Sequence, residues 1–476
     1  MPSPILSVAE MREWEQATWA SGQSEDAVIR RAGGAIASVA HALTREGEAV
    51  VILAGKGHNG DDARQAARQL TQRETRLLNV DNPASALGAL EEHLSPPPAL
   101  VIDGLFGIGL NRALSKEWVA FIRRLNECGL PVLAVDTPSG LHADEGTPQP
   151  EAVTATWTVT LGAVKQGLLE PAAWPHVGRL LVAPEIGLAA FPMDTECHLT
   201  QASDFSDFPP RRAVEAHKGS FGHVLIIAGS MGYHGAAVLS ARGAQRAQPG
   251  LITLYTQESV YGPVAAQLQS VMVRPCPENM TLPPRCSAIL MGPGLADPGL
   301  SDSFRESMKQ LWRSSKLPVI ADASALDWLP KGAVCEGALR VMTPHAGEAA
   351  RLLGAEAKGV TADRLRSVRR LSETWGGAQV VLKGHHTLSG GRAGRVGVNS
   401  TGNPKLAQGG SGDVLAGYLA GLLAQPGCQE RFDQTIAFAV WQHGASADWL
   451  EATQSNWTVE DLAEALGEAP RVDLIV

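Results

Sequence analysis

Residues 49–62 read AVVILAGKGHNGDD, and the interpretation of that stretch decides the fold of the first half of the chain. An unbroken apolar run closed by glycine is the pattern of a parallel strand buried on both faces. Gly55, Gly57 and Gly60 follow in a turn where a ligand can approach the backbone closely. The polar, arginine-bearing stretch 62–73 behind the turn suits a surface helix, whose first N–H groups would be open to a phosphate. Taken alone, such a turn is either a ligand loop or merely tight.

Outward from this point the pattern repeats. Segments 100–105 (LVIDGL) and 131–136 (PVLAVD) are short apolar strands reaching an aspartate, and 153–159 and 179–183 add later strands. Residues 7–44 read as helical with a break near Gly22. Strands alternating with helices imply an α/β fold with a parallel sheet. The loops 103–110 (DGLFGIGL) and 136–141 (DTPSGL) leave the carboxyl ends of their strands. In an open parallel sheet such loops converge on one crevice, so Asp103 and Asp136 are expected to face one ligand. The plain alternative is that both merely cap helices.

Between residues 192 and 215 the character changes, with Pro192, Pro209, Pro210, Arg211 and Arg212 among Ser and Asp residues. This reads as a connection, giving domains 1–197 and 198–476. A second α/β series follows, with strands at 223–229, 250–255, 288–292, 318–322, 340–343 and 379–383. Its most informative segment is 399–417 (NSTGNPKLAQGGSGDVLAG). A G-x-G-D run opening the apolar helix 414–423 gathers backbone N–H groups and a helix dipole at one point, with Asp413 beside them. That combination suits phosphoryl transfer: the backbone holds the anion while the carboxylate takes a proton from a hydroxyl. Segment 343–353 (TPHAGEAARLL) begins another helix, placing His345 and Glu348 on one face, from which Glu348 could reach a magnesium ion. Segment 383–387 (KGHHT) ends a strand and could hold a nucleotide phosphate. The adjacent His385 and His386 also raise a metal reading, but no further ligands stand at zinc spacing.

Composition narrows the function classes. The chain has 476 residues with 44% hydrophobic and 19% charged, as in a folded globular protein, and its 50 glycines exceed the ~7% of an average chain. Net charge is -9 and no Lys/Arg run exceeds two, so a nucleic-acid binder is not expected. The six cysteines form no C-x-x-C pair, and no apolar run approaches a membrane span. A cytoplasmic enzyme without a signal peptide is expected, acting on small molecules as a homo-oligomer.

The motifs G-x-G-x-N-G-x-D, D-x-L-F-G-x-G-L and V-D-x-P-S-G-L, in that order, resemble the NAD(P)H-hydrate epimerase domain. That family interconverts the R and S epimers of hydrated NADH and NADPH on a Rossmann-like three-layer sandwich, with potassium. The resemblance implies potassium contacts at Asn59, Asp103 and Ser139. It implies dinucleotide contacts at His58, Asn59, Gly60, Asp61 and Asp62, and at Gly107, Ile108, Gly109, Leu110, Asn111, Arg112 and Ala113. Asp136 would act as acid/base at the nicotinamide ring. Asp61 and Ala63 depart from the family's G-N-N-G-G-D-G loop. Asp61 is expected to repel phosphate, and Ala63 to be strained where glycine's positive φ is needed.

The second half carries K-G-x-x-G, G-P-G, T-P-H-x-G-E, L-K-G and G-N-P…G-x-G-D-V-L over roughly 215–450. It resembles the ADP/ATP-dependent NAD(P)H-hydrate dehydratase domain, a ribokinase-like α/β fold. There the ring hydroxyl is phosphorylated by the nucleotide, and phosphate then leaves. By resemblance Asp413 is the base, Ala237 (or Ala236), Gly294 and His345 contact the hydrate, and Lys383, Gly384, His385, His386, Thr387 and Gly412 contact ADP or ATP. Ser324 stands where the family has aspartate, and His385 and His386 where it has small residues. The implied function is bifunctional repair of hydrated NADH and NADPH. The alternatives are a dehydratase whose first domain only binds, and a ribokinase-like kinase for another small molecule.

Overall fold

A computed structural model describes residues 3–191, 193–277 and 279–470; Pro192 of the expected connection lies outside the described residues. The chain forms two compact units, one running through Leu199 and the other beginning at Thr200. Among the described residues no helix is long and apolar enough to cross a membrane.

In the first unit six parallel strands lie in the order Glu74–Asn79, Ala49–Ala54, Leu100–Gly104, Val132–Val135, Trp157–Leu161 and Arg179–Ala183. Strand alternation sends Val50, Ile52 and Ala54 into one core with helices Glu25–Leu43 and His58–Gln69. Val51 and Leu53 point the other way, toward helices Pro83–His93 and Lys116–Glu127. Two cores on one sheet make the expected three-layer sandwich. From Ala49–Ala54 the chain moves to one edge at Glu74–Asn79, then crosses to Leu100–Gly104 on the other side. Such a reversal of strand order is where open α/β sheets hold ligands.

Two of the expected elements lie elsewhere along the chain than the sequence reading placed them. The helix expected at 62–73 is His58–Gln69, so it begins inside the glycine turn. The strand expected at 153–159 is Trp157–Leu161. Ala152 and Val153 are wholly buried, but in a loop, which gives the same apolar signal.

In the second unit seven strands run parallel in the order Met272–Pro275, Leu251–Thr256, His223–Ile227, Ala288–Met291, Val319–Ala321, Arg340–Met342 and Gln379–Leu382. Leu388–Gly390 and Val396–Asn399 continue the sheet antiparallel. Helix Ser411–Leu423 is buried along nearly its whole length. It packs on helix His234–Ala247 through two facing glycines. A Cβ on Gly417 would lie 1.9 Å from the Ser240 carbonyl oxygen, and one on Gly243 would lie 2.2 Å from that of Val414. Only glycine permits this approach, and it fixes where the amino end of Ser411–Leu423 points.

Candidate active sites

The first unit contains a cavity of 760 Å³ at the carboxyl ends of its strands. His58, Asn59, Asp62, Gly107, Ile108, Gly109, Leu110, Asn111, Arg112 and Asp136 all line it. Gly60 sits behind the wall, where a Cβ would meet the Gly55 carbonyl oxygen at 2.0 Å. Ala113 is exposed, and neither it nor Asp61 lines the cavity. No side chain caps helix His58–Gln69, so its first N–H groups are open toward the cavity mouth. Arg12, Lys56 and Arg112 add positive charge around the same space.

Asp61 and Ala63 behave differently from expectation. Arg64 Nη1 lies 2.9 Å from Asp61 Oδ1, and the same guanidinium donates to the Gly55 carbonyl at 2.7 Å and to Asn79 Oδ1 at 2.8 Å. Asp61 therefore braces the loop outside the cavity instead of facing a phosphate. Ala63 lies within the helix and has no positive φ. Its methyl group occupies the space opposite Gly104, where a Cβ would come within 2.5 Å of it. Ala63 is unstrained because the helix starts earlier than the glycine pattern suggests.

Beneath the cavity, Asp103 is wholly buried at the end of Leu100–Gly104. Ser139 donates to it from its backbone N–H at 2.8 Å and from Oγ at 2.6 Å, and Leu105 N–H donates at 3.2 Å. Burial pushes the Asp103 carboxyl up to about 6, against these hydrogen bonds. Phe106 N–H donates to Ser139 Oγ at 2.8 Å, and Asn59 Nδ2 donates to the Phe106 carbonyl at 2.9 Å. Asn59, Asp103 and Ser139 are thus brought together, around a buried carboxylate with only neutral donors. A monovalent cation fits that donor set.

Asp136 has φ +63, in the left-handed region that non-glycine residues seldom occupy. Its Oδ1 accepts from Leu161 N–H at 2.9 Å, Thr160 Oγ1 at 3.3 Å and the buried Lys165 Nζ. Lys165 also donates to the Leu161 carbonyl at 2.8 Å. It is carried by the short strand Val164–Lys165, which pairs with Ser3–Leu6. Sequence reasoning missed it. The available signal was a lone lysine in an otherwise apolar stretch after a strand.

The second unit contains a cavity of 720 Å³. Asp413, Gly412, His345, Lys383, Gly384, His385, His386 and Thr387 all line it. Helix Ser411–Leu423 opens at Gly410, with φ +98 and no side-chain cap, leaving its first N–H groups to a ligand. Asp413 stands at this end. Burial, then the Asp322 carboxylate, push it up to about 7, with Lys383 opposing. Lys383 Nζ lies 2.7 Å from Asp322 Oδ1, which also accepts from Thr343 Oγ1 at 2.6 Å. Asp322 and Thr343 are parts of the site that sequence reasoning left unassigned. Each follows a short strand, and that position was the available signal.

His345 caps helix Ala346–Leu353 from outside it. Its Nδ1 accepts from Gly347 and Glu348 N–H at 3.0 and 3.3 Å, while Glu348 Oε2 accepts from His345 N–H at 2.8 Å. The two residues therefore do not share a helical face as ligand and metal carboxylate; Glu348 closes a capping box and does not line the cavity. Ala237 is wholly buried in the core, whereas its half-buried neighbour Ala236 faces Gly294, whose φ is +64. Neither Ala237 nor Gly294 lines the cavity. His443, also unanticipated, does line it. Its Nε2 is 3.0 Å from the Ser411 carbonyl, and burial pushes it down to about 4, so it is neutral near pH 7. Among the described residues no group of three His, Cys, Asp or Glu side chains is arranged for a metal ion.

Comparison with known proteins places these cavities in context. Residues 224–469 match the family model described as NAD(P)H-hydrate dehydratase, and residues 25–81 and 78–167 match that of the YjeF-related protein N-terminus. The bifunctional NAD(P)H-hydrate repair enzyme of Gloeobacter violaceus is 34% identical over 503 residues, covering 98% of this chain and 97% of that protein. The Leishmania braziliensis enzyme of that name is 32% identical, covering 99% of this chain and 93% of that protein. Among solved structures, the ADP/ATP-dependent NAD(P)H-hydrate dehydratase of Bacillus subtilis, co-crystallised with ATP and Mg²⁺, is 29% identical. It covers 55% of this chain and 92% of its own, with a TM-score of 0.49.

Proposed function

The chain belongs to the bifunctional NAD(P)H-hydrate repair enzymes, and from that premise we propose how its two units divide the work. The chain epimerises hydrated NADH and NADPH and dehydrates the S form with ADP or ATP. The unit through Leu199 is assigned the epimerisation and the unit from Thr200 the dehydration. Fusion is chemically sensible, because hydration yields both epimers and the dehydratase accepts one.

In the second unit Asp413 takes the proton of the ring hydroxyl as that oxygen attacks the terminal phosphate. The uncapped N–H groups of Gly412 and Asp413 hold the transferring anion. Lys383 supports this geometry through Asp322 instead of acting as a free phosphate ligand. The bond from carbon to the phosphate oxygen then breaks with its electron pair leaving on phosphate, the ring nitrogen's lone pair assists, and the neighbouring ring carbon gives up a proton to water, so that the ring double bond is restored. With Glu348 committed to its cap, a magnesium ion would be held chiefly by the nucleotide phosphates. The observation that carries this reading is the raised carboxyl of Asp413 at the open end of a buried helix.

In the first unit Asp136 handles the hydroxyl proton of the hydrate. Asn59, Asp103 and Ser139 would hold potassium, whose charge offsets the buried Asp103 carboxylate and ties together the loops after Leu100–Gly104 and Val132–Val135. The pairing of Asp61 with Arg64 and the helical φ of Ala63 support a working site over a merely binding one.

The test incubates the protein with mixed R and S NADH hydrate, magnesium and either ADP or ATP, and follows the near-ultraviolet absorbance of the restored ring. Recovery of both epimers is expected. Recovery of the S fraction alone would sink the epimerase assignment, and no recovery with either nucleotide would sink the dehydratase assignment.

A further inference from the structure

The first-unit cavity holds a carboxyl group to which no chemical step has been given. Asp62 projects from helix His58–Gln69 into the space bounded by Asp136, and only 7% of it is exposed. Among the described residues its side chain accepts no hydrogen bond and makes no ion pair. Asp136 is the opposite case. Three donors, one of them the Lys165 ammonium, converge on its Oδ1 and leave Oδ2 to the cavity. Asp62 and Asp136 thus share one cavity, lined also by Glu15, Glu25 and Asp81; donors crowd Asp136 and none reaches Asp62. Where environments separate a pair in this way, one member is suited to accept a proton and the other to give one.

We propose that Asp62 is a second catalytic residue of the epimerisation, the acid that serves the ring nitrogen while Asp136 serves the hydroxyl. The proposal rests on the epimerase reading of this unit. Asp136 takes the hydroxyl proton, and the oxygen's electron pair forms a carbonyl at the hydrated carbon. The bond from that carbon to the ring nitrogen breaks, its electron pair goes to nitrogen, and Asp62 supplies the nitrogen with a proton. Rotation about the neighbouring carbon–carbon bond presents the other face of the carbonyl. On closure the nitrogen adds to the carbonyl carbon and returns its proton to Asp62, while Asp136 returns its own to oxygen. Both residues end as they began, and nothing besides the substrate is consumed.

The charged groups facing Asp62 agree with an acid in this position. Asp136 and Lys165 lie on the sheet side, Glu15 comes from helix Val8–Ala20, and Asp61 is on its own helix. Burial, then the Asp136 and Asp61 carboxylates, push Asp62 up to about 8, so it carries its proton near neutrality. Glu15 is raised as well, chiefly by burial.

The experiment uses the full chain and purified R-NADH hydrate without nucleotide, so that dehydration is silent, and the epimers are separated by chromatography. Asp62→Asn is expected to lower kcat at least ~100-fold, with KM within about threefold of wild type. Asp62→Glu is expected to recover part of the loss. Wild-type kcat/KM is expected to fall as pH rises past about 8. Unchanged kcat in Asp62→Asn, or a rise in KM alone, overturns the proposal, as does a wild-type profile with no alkaline fall. A wild-type chain that leaves the R epimer untouched overturns the epimerase reading itself, and the role of Asp62 with it.

Discussion

Lys383 Nζ sits 2.7 Å from Asp322 Oδ1, beneath Asp413. Burial works against the Lys383 charge, but Asp322, Glu348 and Asp413 together hold it above the ordinary lysine range. The pair therefore sets the field in which Asp413 titrates. Removing the cation in Lys383→Met should move the acidic limb of dehydration to higher pH, because Lys383 is what lowers Asp413. Removing the anion in Asp322→Asn should move it to lower pH. Lys383→Met also strands a buried carboxylate, at an expected stability loss of about 3–5 kcal/mol. pH–rate profiles and denaturant melts of the two variants test this, and shifts in the same direction would refute it.

The wild-type profile carries its own expectation. A base must be ionised to act, and Asp413 is pushed up to about 7. Dehydration kcat/KM should rise about tenfold per pH unit below that point and level off above it. The same shift acts on stability with the opposite sign. Between the unfolded carboxyl's range and about 7, the folded chain holds the extra proton, so this group's contribution falls as pH rises. Calorimetry and initial rates across the same buffers measure both.

Asp103 should make epimerisation sensitive to the monovalent cation. Potassium is expected to raise both the epimerisation rate and the melting temperature relative to lithium, since a charge beside the buried carboxylate offsets its desolvation. Asp103→Asn should abolish the difference between the two salts. An equal response in wild type and variant would leave the ion without a site here.

Gly417→Ala places a methyl group 1.9 Å from the Ser240 carbonyl oxygen. The two helices must separate, which is expected to cost about 1–3 kcal/mol. Because helix Ser411–Leu423 carries Asp413, dehydration should fall as well, while epimerisation of R-NADH hydrate by the same preparation stays near wild type. Thermal melts and the two separate assays distinguish this from general damage.

Ala63→Gly restores the residue expected of the family's loop. Since Ala63 is helical and packs opposite Gly104, the change should destabilise the chain by roughly 0.5–1 kcal/mol and leave epimerisation within about twofold. A large gain in rate would revive the strain argument.

Loop chemistry was the legible part of these sites. Asp103, Asp136 and Asp413 each close or open an element beside glycines, and a strand end in a parallel sheet has few places to go. Lys165 and Asp322 were not legible because their roles depend on pairing across distant segments. Lys165 is set under Asp136 by strand Ser3–Leu6, and Asp322 meets a lysine 61 residues later. Among the strands missed, Glu74–Asn79 and Met272–Pro275 are partly exposed edge strands, whereas Ser3–Leu6, Val164–Lys165, Cys197–Thr200, Leu388–Gly390 and Val396–Asn399 have no more than four residues each. The edge strands carry polar residues, and the others are too short to show a continuous apolar run. The start of helix His58–Gln69 was hidden for a related reason, since glycines and Asn59 inside a first helical turn look like loop.

The left-handed backbone at Asp136 also bears on how this activity can be lost in a lineage. An ordinary side chain at φ +63 costs roughly 1–2 kcal/mol, whereas asparagine or glycine is accommodated readily. Decay at position 136 is thus channelled: a chain released from selection on its first unit should drift first to Asn or Gly there, losing its base, and because either change strips the buried Lys165 ammonium of its carboxylate, Lys165 should change alongside it. Descendants carrying either residue would look intact in every neighbouring motif and still pass only one epimer to the second unit.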